Sequence, residues 1–293
     1  MSNIVVLALV GLVAQLIDGS LGMAYGATST SLLLVTGLSP VAASASVHLA
    51  EVGTTLASGA AHWRFGNVDW PLVLRLGVPG AIGAFAGAHL LAGLSTAAAA
   101  PVTATILLVI GVVLLSRFVQ RDGASGPTER RVPTRMVAPL GLVAGLVDAT
   151  GGGGWGPVAT PSLLLTDRLP PRKVIGTVDT SEFLVSAAAS VGFLLALGRE
   201  VVSLPVVLAL LGGGLVAAPI AAWLVRRVQP HLLGVSVGGL LVLTNARTLL
   251  TAAGAPGPVR ATALVAVLVV WVAAVGAAHR RHRRAGLALV SAP

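Results

Sequence analysis

Apolar residues run along this chain in blocks of about twenty, the length a helix needs to cross a hydrocarbon core. Such blocks lie near residues 40–63, 70–93, 98–119, 172–197, 203–226, 230–250 and 258–278. Two further blocks, about 3–36 and 136–167, are longer and interrupted. Residues 141–165 read G-L-V-A-G-L-V-D-A-T-G-G-G-G-W-G-P-V-A-T-P-S-L-L-L. The stretch opens as an apolar helix, meets Asp148, dissolves into glycines around Trp155, and resumes as an apolar run. Glycine and proline in mid-segment destabilise a helix, so a break is expected there. Residues 11–34 carry the same pattern, G-L-V-A-Q-L-I-D-G-S-L-G-M-A-Y-G-A-T-S-T-S-L-L-L, about 130 residues earlier. Gly11, Leu12, Val13, Ala14, Leu16, Asp18, Gly22, Gly26, Thr30, Leu33 and Leu34 all recur at that shift, and Tyr25, the only tyrosine, falls opposite Trp155. Each break is expected to be either a re-entrant hairpin or two short spans. A duplicated, glycine-broken apolar segment points to a transporter binding site.

Composition fixes the class. Of 293 residues, 55% are hydrophobic and only 10% charged, against about 25% charged in soluble domains; mean hydropathy is +0.92. Long Leu, Val, Ala and Gly runs favour helices over a barrel. The expected fold is an all-α polytopic membrane protein. The chain has no cysteine, which excludes disulfides and thiolate metal sites. The net charge of +9 sits in short loops and the C-terminal tail, so it is a topology signal and not a nucleic-acid one. No basic region precedes the first apolar run, so that run is expected to stay as a helix and not be cleaved as a signal peptide.

Lysine and arginine then set orientation. The basic clusters are the linker (Arg117, Arg121, Arg130, Arg131, Arg135), Arg168 with Arg172 and Lys173, Arg226 with Arg227, and the tail from His279 to Arg284. With all four in the cytoplasm, the first broken segment begins and ends outside and the second begins and ends inside. The expectation is therefore an inverted-topology repeat. Residues 1–119 form repeat 1, 120–135 a cytoplasmic linker, 136–250 repeat 2, 251–279 an extra transmembrane helix, and 280–293 a basic cytoplasmic tail. Each repeat holds one broken segment and three spans, with the N-terminus outside.

The breaks carry the candidate chemistry. A half-helix starting at a break points free amides and a positive dipole end into the membrane, a natural seat for an anion. That places backbone donors around Gly22, Gly26, Gly152, Gly153, Gly154 and Gly156 on the candidate anion, with Thr28, Thr30 and Thr160 as hydroxyl donors and Tyr25 and Trp155 as walls. The blander alternative is close helix packing through small residues. Crowding at Gly153 or Gly154 is expected to abolish binding, and at Gly77 or Gly111 to do far less. An ionisable residue at the bilayer centre costs about 2.5–3.5 kcal/mol on insertion scales, so each needs a reason. Glu51 and Glu182 stand at matching places in the two halves, as do His48 and Asp179. These four are expected to carry a coupling proton or to anchor the breaks. Asp18 and Asp148 read as turn acids that satisfy break amides. Arg247, expected near the outer face, is the one basic candidate for the anion. No metal centre and no cofactor are expected.

These repeats, each starting G-L-V-A-x-L-x-D, followed by a glycine-rich turn and an L-L-L run, resemble the sulfite exporter TauE/SafE family over nearly the whole chain. The second repeat, G-G-G-G-W-G-P-V-A-T-P, is the better match; the first lacks its proline and most of its glycines. The resemblance implies transport of sulfur-containing anions such as sulfite, sulfoacetate or other sulfonates across the bacterial cytoplasmic membrane. No P-loop, G-x-x-x-x-G-K-[ST], is present, so the expected driver is a gradient, with protons as the candidate coupling ion and the lipid bilayer as surroundings. An intramembrane enzyme and a non-transporting scaffold are the alternatives.

Overall fold

A computed structural model describes residues 4–94, 96–120, 131–164, 166, 168–225 and 230–290. Most of the linker, at 121–130, lies outside the described residues, as do Arg226, Arg227, Ser2, Ser291 and the tail side chains beyond Arg280.

Every long described element is helical. The first half contains α1 (Ile4–Leu21), α2 (Tyr25–Val35), α3 (Pro40–Arg64), α4 (Trp70–Ala92) and α5 (Thr96–Gln120). The second contains α6 (Thr134–Gly151), α7 (Trp155–Leu164), α8 (Pro171–Leu197), α9 (Leu204–Leu224) and α10 (Pro230–Ala252), followed by α11 (Gly257–Val290). Local signals explain the boundaries. Ser39 caps α3 by accepting from the Ala42 amide at 3.3 Å, with Pro40 at the first helical position. Asp69 caps α4 by accepting from Leu72 N at 3.0 Å. Proline at the first turn forfeits an amide that has no helical partner anyway. Among the described residues, five helices are long and apolar enough to cross a membrane: α1, α4, α8, α9, and α11 over Gly257–Arg280. The last apolar run is longer than its sequence pattern, because the helix continues through the basic residues to Val290.

Both interrupted segments break where the glycines fall. Gly22 and Gly152 close α1 and α6 with left-handed φ values of 64° and 69°. In the second break Gly153 follows at φ 140°; in the first, Ala24 takes φ 93° before α2 begins. α2 and α7 have 11 and 10 residues, about 15–17 Å at 1.5 Å per residue, too short to span.

Packing joins the halves through matching elements. α1 lies on α9, and α4 on α6, through glycines that bring backbones together: a Cβ on Gly11 would strike the Leu210 carbonyl, one on Gly213 that of Ala8, and one on Gly145 that of Gly80. α3 and α8 run antiparallel through the centre, with Ser58 Oγ donating to Asp179 and Ser186 Oγ to Glu51. α5 and α10 also pair antiparallel, Gly111 against Leu241 and Leu115 against Gly238. Close approach through small residues is how membrane helices associate without a hydrophobic drive. Two of these contacts alter an expectation. A Cβ on Gly77 would lie 2.9 Å from Leu184 Cδ1, and one on Gly111 2.8 Å from Leu241 Cβ. Neither glycine is a free position, and Gly212, with nothing within 4 Å, is.

Candidate functional site

The two breaks meet. A Cβ on Gly153 would strike Ala27 N and the Gly26 carbonyl carbon, and one on Gly26 would lie 2.8 Å from both Gly153 Cα and Glu51 Oε1. Gly152 packs on Thr30 and Gly22 on Thr160, so the repeated glycine–threonine pairs contact one another reciprocally. Thr160 donates its hydroxyl to the Gly22 carbonyl. Tyr25 and Trp155 are fully buried. Tyr25 Oη donates to Leu210 O at 3.2 Å and Trp155 Nε1 to Val178 O at 3.0 Å, so each aromatic ties its half-helix to a neighbouring span.

Asp18 and Asp148 hold the break amides. Asp148 Oδ1 accepts from Gly154 N at 2.8 Å and Trp155 N at 3.0 Å, and Asp18 Oδ1 accepts from Tyr25 N at 3.5 Å. The positive end of each short helix therefore faces a resident carboxylate from its own half. The hydroxyls of Thr28, Ser29 and Thr30, in the first turns of α2, are buried and have no hydrogen-bond partner. They are polar groups with donor capacity to spare.

α3 and α8 line this centre with polar side chains. On α3, Ser44, His48, Glu51, Thr55, Ser58 and His62 recur every three or four residues, one face of a helix, and all are buried. His48 Nδ1 lies 2.8 Å from the Ser44 carbonyl and Nε2 lies 3.1 Å from Asp148 Oδ2. A carbonyl only accepts, so Nδ1 carries a hydrogen. Nε2 faces a carboxylate, so a further proton sits between them. His48 and Asp148 thus form a charge-balanced pair. His62 differs: Nε2 donates to Gly19 O at 2.9 Å and Nδ1 accepts from Asn67 Nδ2 at 3.3 Å, which is the bonding of a neutral imidazole.

On α8, Asp179 Oδ1 accepts from Ser58 Oγ at 3.1 Å. Asp18, Asp179 and Glu182 each bring a carboxylate oxygen within 4.8 Å of the others. Glu51 Oε2 accepts from Ser186 Oγ at 3.3 Å, while Oε1 is without a partner. No lysine or arginine is buried among the described residues.

The structure thus gathers Gly22, Tyr25, Gly26, Thr30, Gly152, Gly153, Gly154, Trp155, Gly156 and Thr160 in one region, with His48, Glu51, Asp179 and Glu182 beside it. Arg247 stands apart, exposed in the last turns of α10. The serines and His62 of the α3 face, Gln15 and Asn245 were not anticipated from the sequence. The serines and His62 of the α3 face were legible as a polar stripe in an apolar run. Gln15 and Asn245 carried no such signal; Asn245 Nδ2 donates to Ser31 Oγ at 3.1 Å, tying α10 to α2.

The family described as Sulfite exporter TauE/SafE matches residues 7–248. A probable membrane transporter protein, YtnM, of Bacillus subtilis (strain 168) is 51% identical over 276 residues, covering 94% of this chain and 92% of that protein. No solved structure matches.

Proposed function

The chain belongs to the sulfite exporter TauE/SafE family, and from that membership we propose that it is a secondary transporter exporting a small sulfur-containing anion across the bacterial cytoplasmic membrane. Sulfite and organosulfonates such as sulfoacetate are the substrate class. The family description and the name of the Bacillus relative speak of transport and not of catalysis, and five apolar helices make this a multi-pass membrane protein.

The observation that carries the reading is the meeting of two duplicated breaks inside the helical bundle, Gly26 against Gly153 and Thr30 against Gly152. Irregular backbone at membrane depth is tolerated where protein buries it or a cavity needs it. A scaffold would leave the unpartnered hydroxyls of Thr28, Ser29 and Thr30 unexplained. In this reading the anion sits between the breaks, near the bilayer midplane, on those hydroxyls and on amides around Gly22–Gly26 and Gly152–Gly156, with Tyr25 and Trp155 as walls. Because Gly154 N, Trp155 N and Tyr25 N already serve Asp148 and Asp18, the anion competes with resident carboxylates. Those carboxylates must be neutralised for it to enter. That requirement couples anion entry to protons at Asp18 and the His48–Asp148 pair, with Glu51, Asp179 and Glu182 as the neighbouring groups that carry a coupling proton or anchor the breaks.

The halves, 1–119 and 136–250, are read as inverted repeats that rock against each other around this point. The antiparallel pairing of the equivalent helices α3 and α8, and of α5 and α10, supports this, as do the matched contacts of α1 with α9 and α6 with α4. Residues 120–135 form the cytoplasmic linker, 251–279 the extra helix and 280–293 the basic tail, with the N-terminus outside.

The test is flux. Radiolabelled sulfite loaded into proteoliposomes should leave faster with the protein than without it, and excess unlabelled sulfite or sulfoacetate should slow the label. Rates equal to those of protein-free liposomes for every sulfur anion tried would overturn the reading.

A further inference from the structure

Two side-chain bonds fix the register of α3 against α8. Ser58 donates to Asp179 at 3.1 Å, and Ser186 donates to Glu51 at 3.3 Å. Residues 51 and 58 are seven apart on α3, and 179 and 186 are seven apart on α8. The antiparallel helices therefore keep step over two turns, and the rise per residue orders their ionisable groups by depth. His48 comes first, with Asp148 on its Nε2. Glu51 follows about 4.5 Å along α3. Glu182, one turn from Ser186 on α8, lies about 6 Å beyond Glu51. Asp179, with Asp18, closes the row about 15 Å from His48. Each step is about one helical turn, and the row covers about half the thickness of a hydrocarbon core.

The two ends are alike. At each, a break acid shares a proton with the long central helix of the other half. His48 Nδ1 gives its hydrogen to the Ser44 carbonyl, so a second proton lies between Nε2 and Asp148. Asp18 and Asp179 are hydrogen-bonded to each other, and two carboxylates offer only acceptors, so a proton joins them. Between the ends the acids are uncommitted. Glu51 Oε1 and Glu182 Oε2 are buried without a partner, whereas a purely structural acid would have such atoms bonded, because leaving them unpaired costs stability. Glu182 brings an oxygen within 4.8 Å of Asp18 and Asp179. Glu51 Oε1 lies 2.8 Å from the position a Cβ on Gly26 would take, at the meeting of the breaks. The other titratable groups around the row are committed elsewhere. The Tyr25 hydroxyl of α2 is bonded to Leu210 O, and both nitrogens of His62 are taken by Gly19 and Asn67. Arg75 and His89 of α4 bond backbone carbonyls, and Arg199 and Glu200 are exposed. α5, α7 and α9 carry no acid and no histidine.

We propose that these six groups form a proton-transfer row through the centre of the bundle. It runs from His48–Asp148 through Glu51 and Glu182 to Asp18–Asp179, and it meets the transported anion at Glu51. In each step an N–H or O–H bond breaks on the giving group, whose electron pair stays behind, and a new bond to hydrogen forms on the next group. One proton enters at one end for each that leaves at the other, and nothing is oxidised. The glutamates bridge the gaps by turning their carboxyl groups about flexible stems. This deepens the transporter reading and rests on it: the coupling proton gains a route, and Glu182 belongs to that route although it stands a turn away from the anion.

The full chain in proteoliposomes is loaded with radiolabelled sulfite and a pH-sensitive dye in alkaline buffer, where sulfite is the dianion and carries no proton of its own. Potassium and valinomycin clamp the membrane potential, so that protons do not follow charge through the lipid. The quantity read is protons moved per sulfite released. The parental protein should hold a fixed ratio at every sulfite load. Glu182→Gln and Glu51→Gln should each lower that ratio at least about tenfold, whatever their efflux rates, as loss of a positioned proton carrier does. Glu182→Asp, which keeps the acid, should restore it. Sulfite efflux from the parental protein without proton movement would overturn the row and leave the transporter reading standing, as would a parental ratio in both glutamine variants. Sulfite efflux no faster than from protein-free liposomes would overturn both.

Discussion

At the scale of single residues, the interior is organised by carboxylates that hold the breaks and not by free amides. Asp148 accepts from Gly154 N, Trp155 N and His48 Nε2 at once. Breaking a buried charged pair from one side leaves the other charge uncompensated and costs about 3–5 kcal/mol. Asp148→Asn and His48→Ala should each lower the unfolding temperature markedly, and the double variant should lose less than their sum, because both break one pair. Fully additive losses would show that the two do not interact. Glu51→Gln retains an oxygen for Ser186, so it should fold normally. It should flatten the pH dependence of transport, as should Glu182→Gln, since neither variant can take up a proton at that position. If both keep the parental pH profile, these residues anchor the breaks and carry no proton. The sequence made the four ionisable residues His48, Glu51, Asp179 and Glu182 visible because charges are rare in apolar runs. It also marked Asp18 and Asp148 as turn acids at the breaks, where they accept from Gly154 N, Trp155 N and Tyr25 N; it did not tell that these carboxylates, seven residues away along a broken chain, would compete with an anion for the same donors. Gln15 was invisible for a different reason: a single amide in an apolar helix has no spacing to read.

At the scale of elements, the helices were legible nearly end to end. Proline, glycine and basic residues punctuate the apolar runs at Pro40, Trp70–Pro71, Pro171 and Gly198, and the helices begin or end there. What the pattern did not reveal is which glycines lie between helices, because a glycine in an apolar run looks alike on a lipid face and a packing face. Gly153 combines a φ of 140° with direct contact on Ala27 and Gly26. Gly153→Val should therefore separate the two breaks and abolish transport. Gly212→Val, on the open face of α9, should leave transport within about twofold, as surface substitutions usually do. Proteoliposome flux at matched protein density distinguishes them, and equal activity in the two would show that contact between the breaks is dispensable.

For the whole molecule, the proposed orientation rests on the basic clusters, and the helix pairings bear on the relation between the halves. α3 with α8 and α5 with α10 run antiparallel across the middle, as equivalents in opposed halves would. The native chain has no cysteine, so single cysteines introduced at Ser2, Ser125 and Ser291, all outside the described residues, can be labelled from one side in intact cells. Ser125 and Ser291 should be shielded until the membrane is opened, and Ser2 should label from outside. Labelling of Ser125 and Ser291 from opposite faces would remove the inverted arrangement.

The central claim is that the two breaks together hold the transported anion. The most direct measurement is a structure of the protein in a lipid nanodisc with sulfite or sulfoacetate bound. The anion should lie between residues 22–26 and 152–156, within hydrogen-bond reach of Thr30 or of a break amide. An anion more than a helix diameter, about 10 Å, from both breaks would contradict the account.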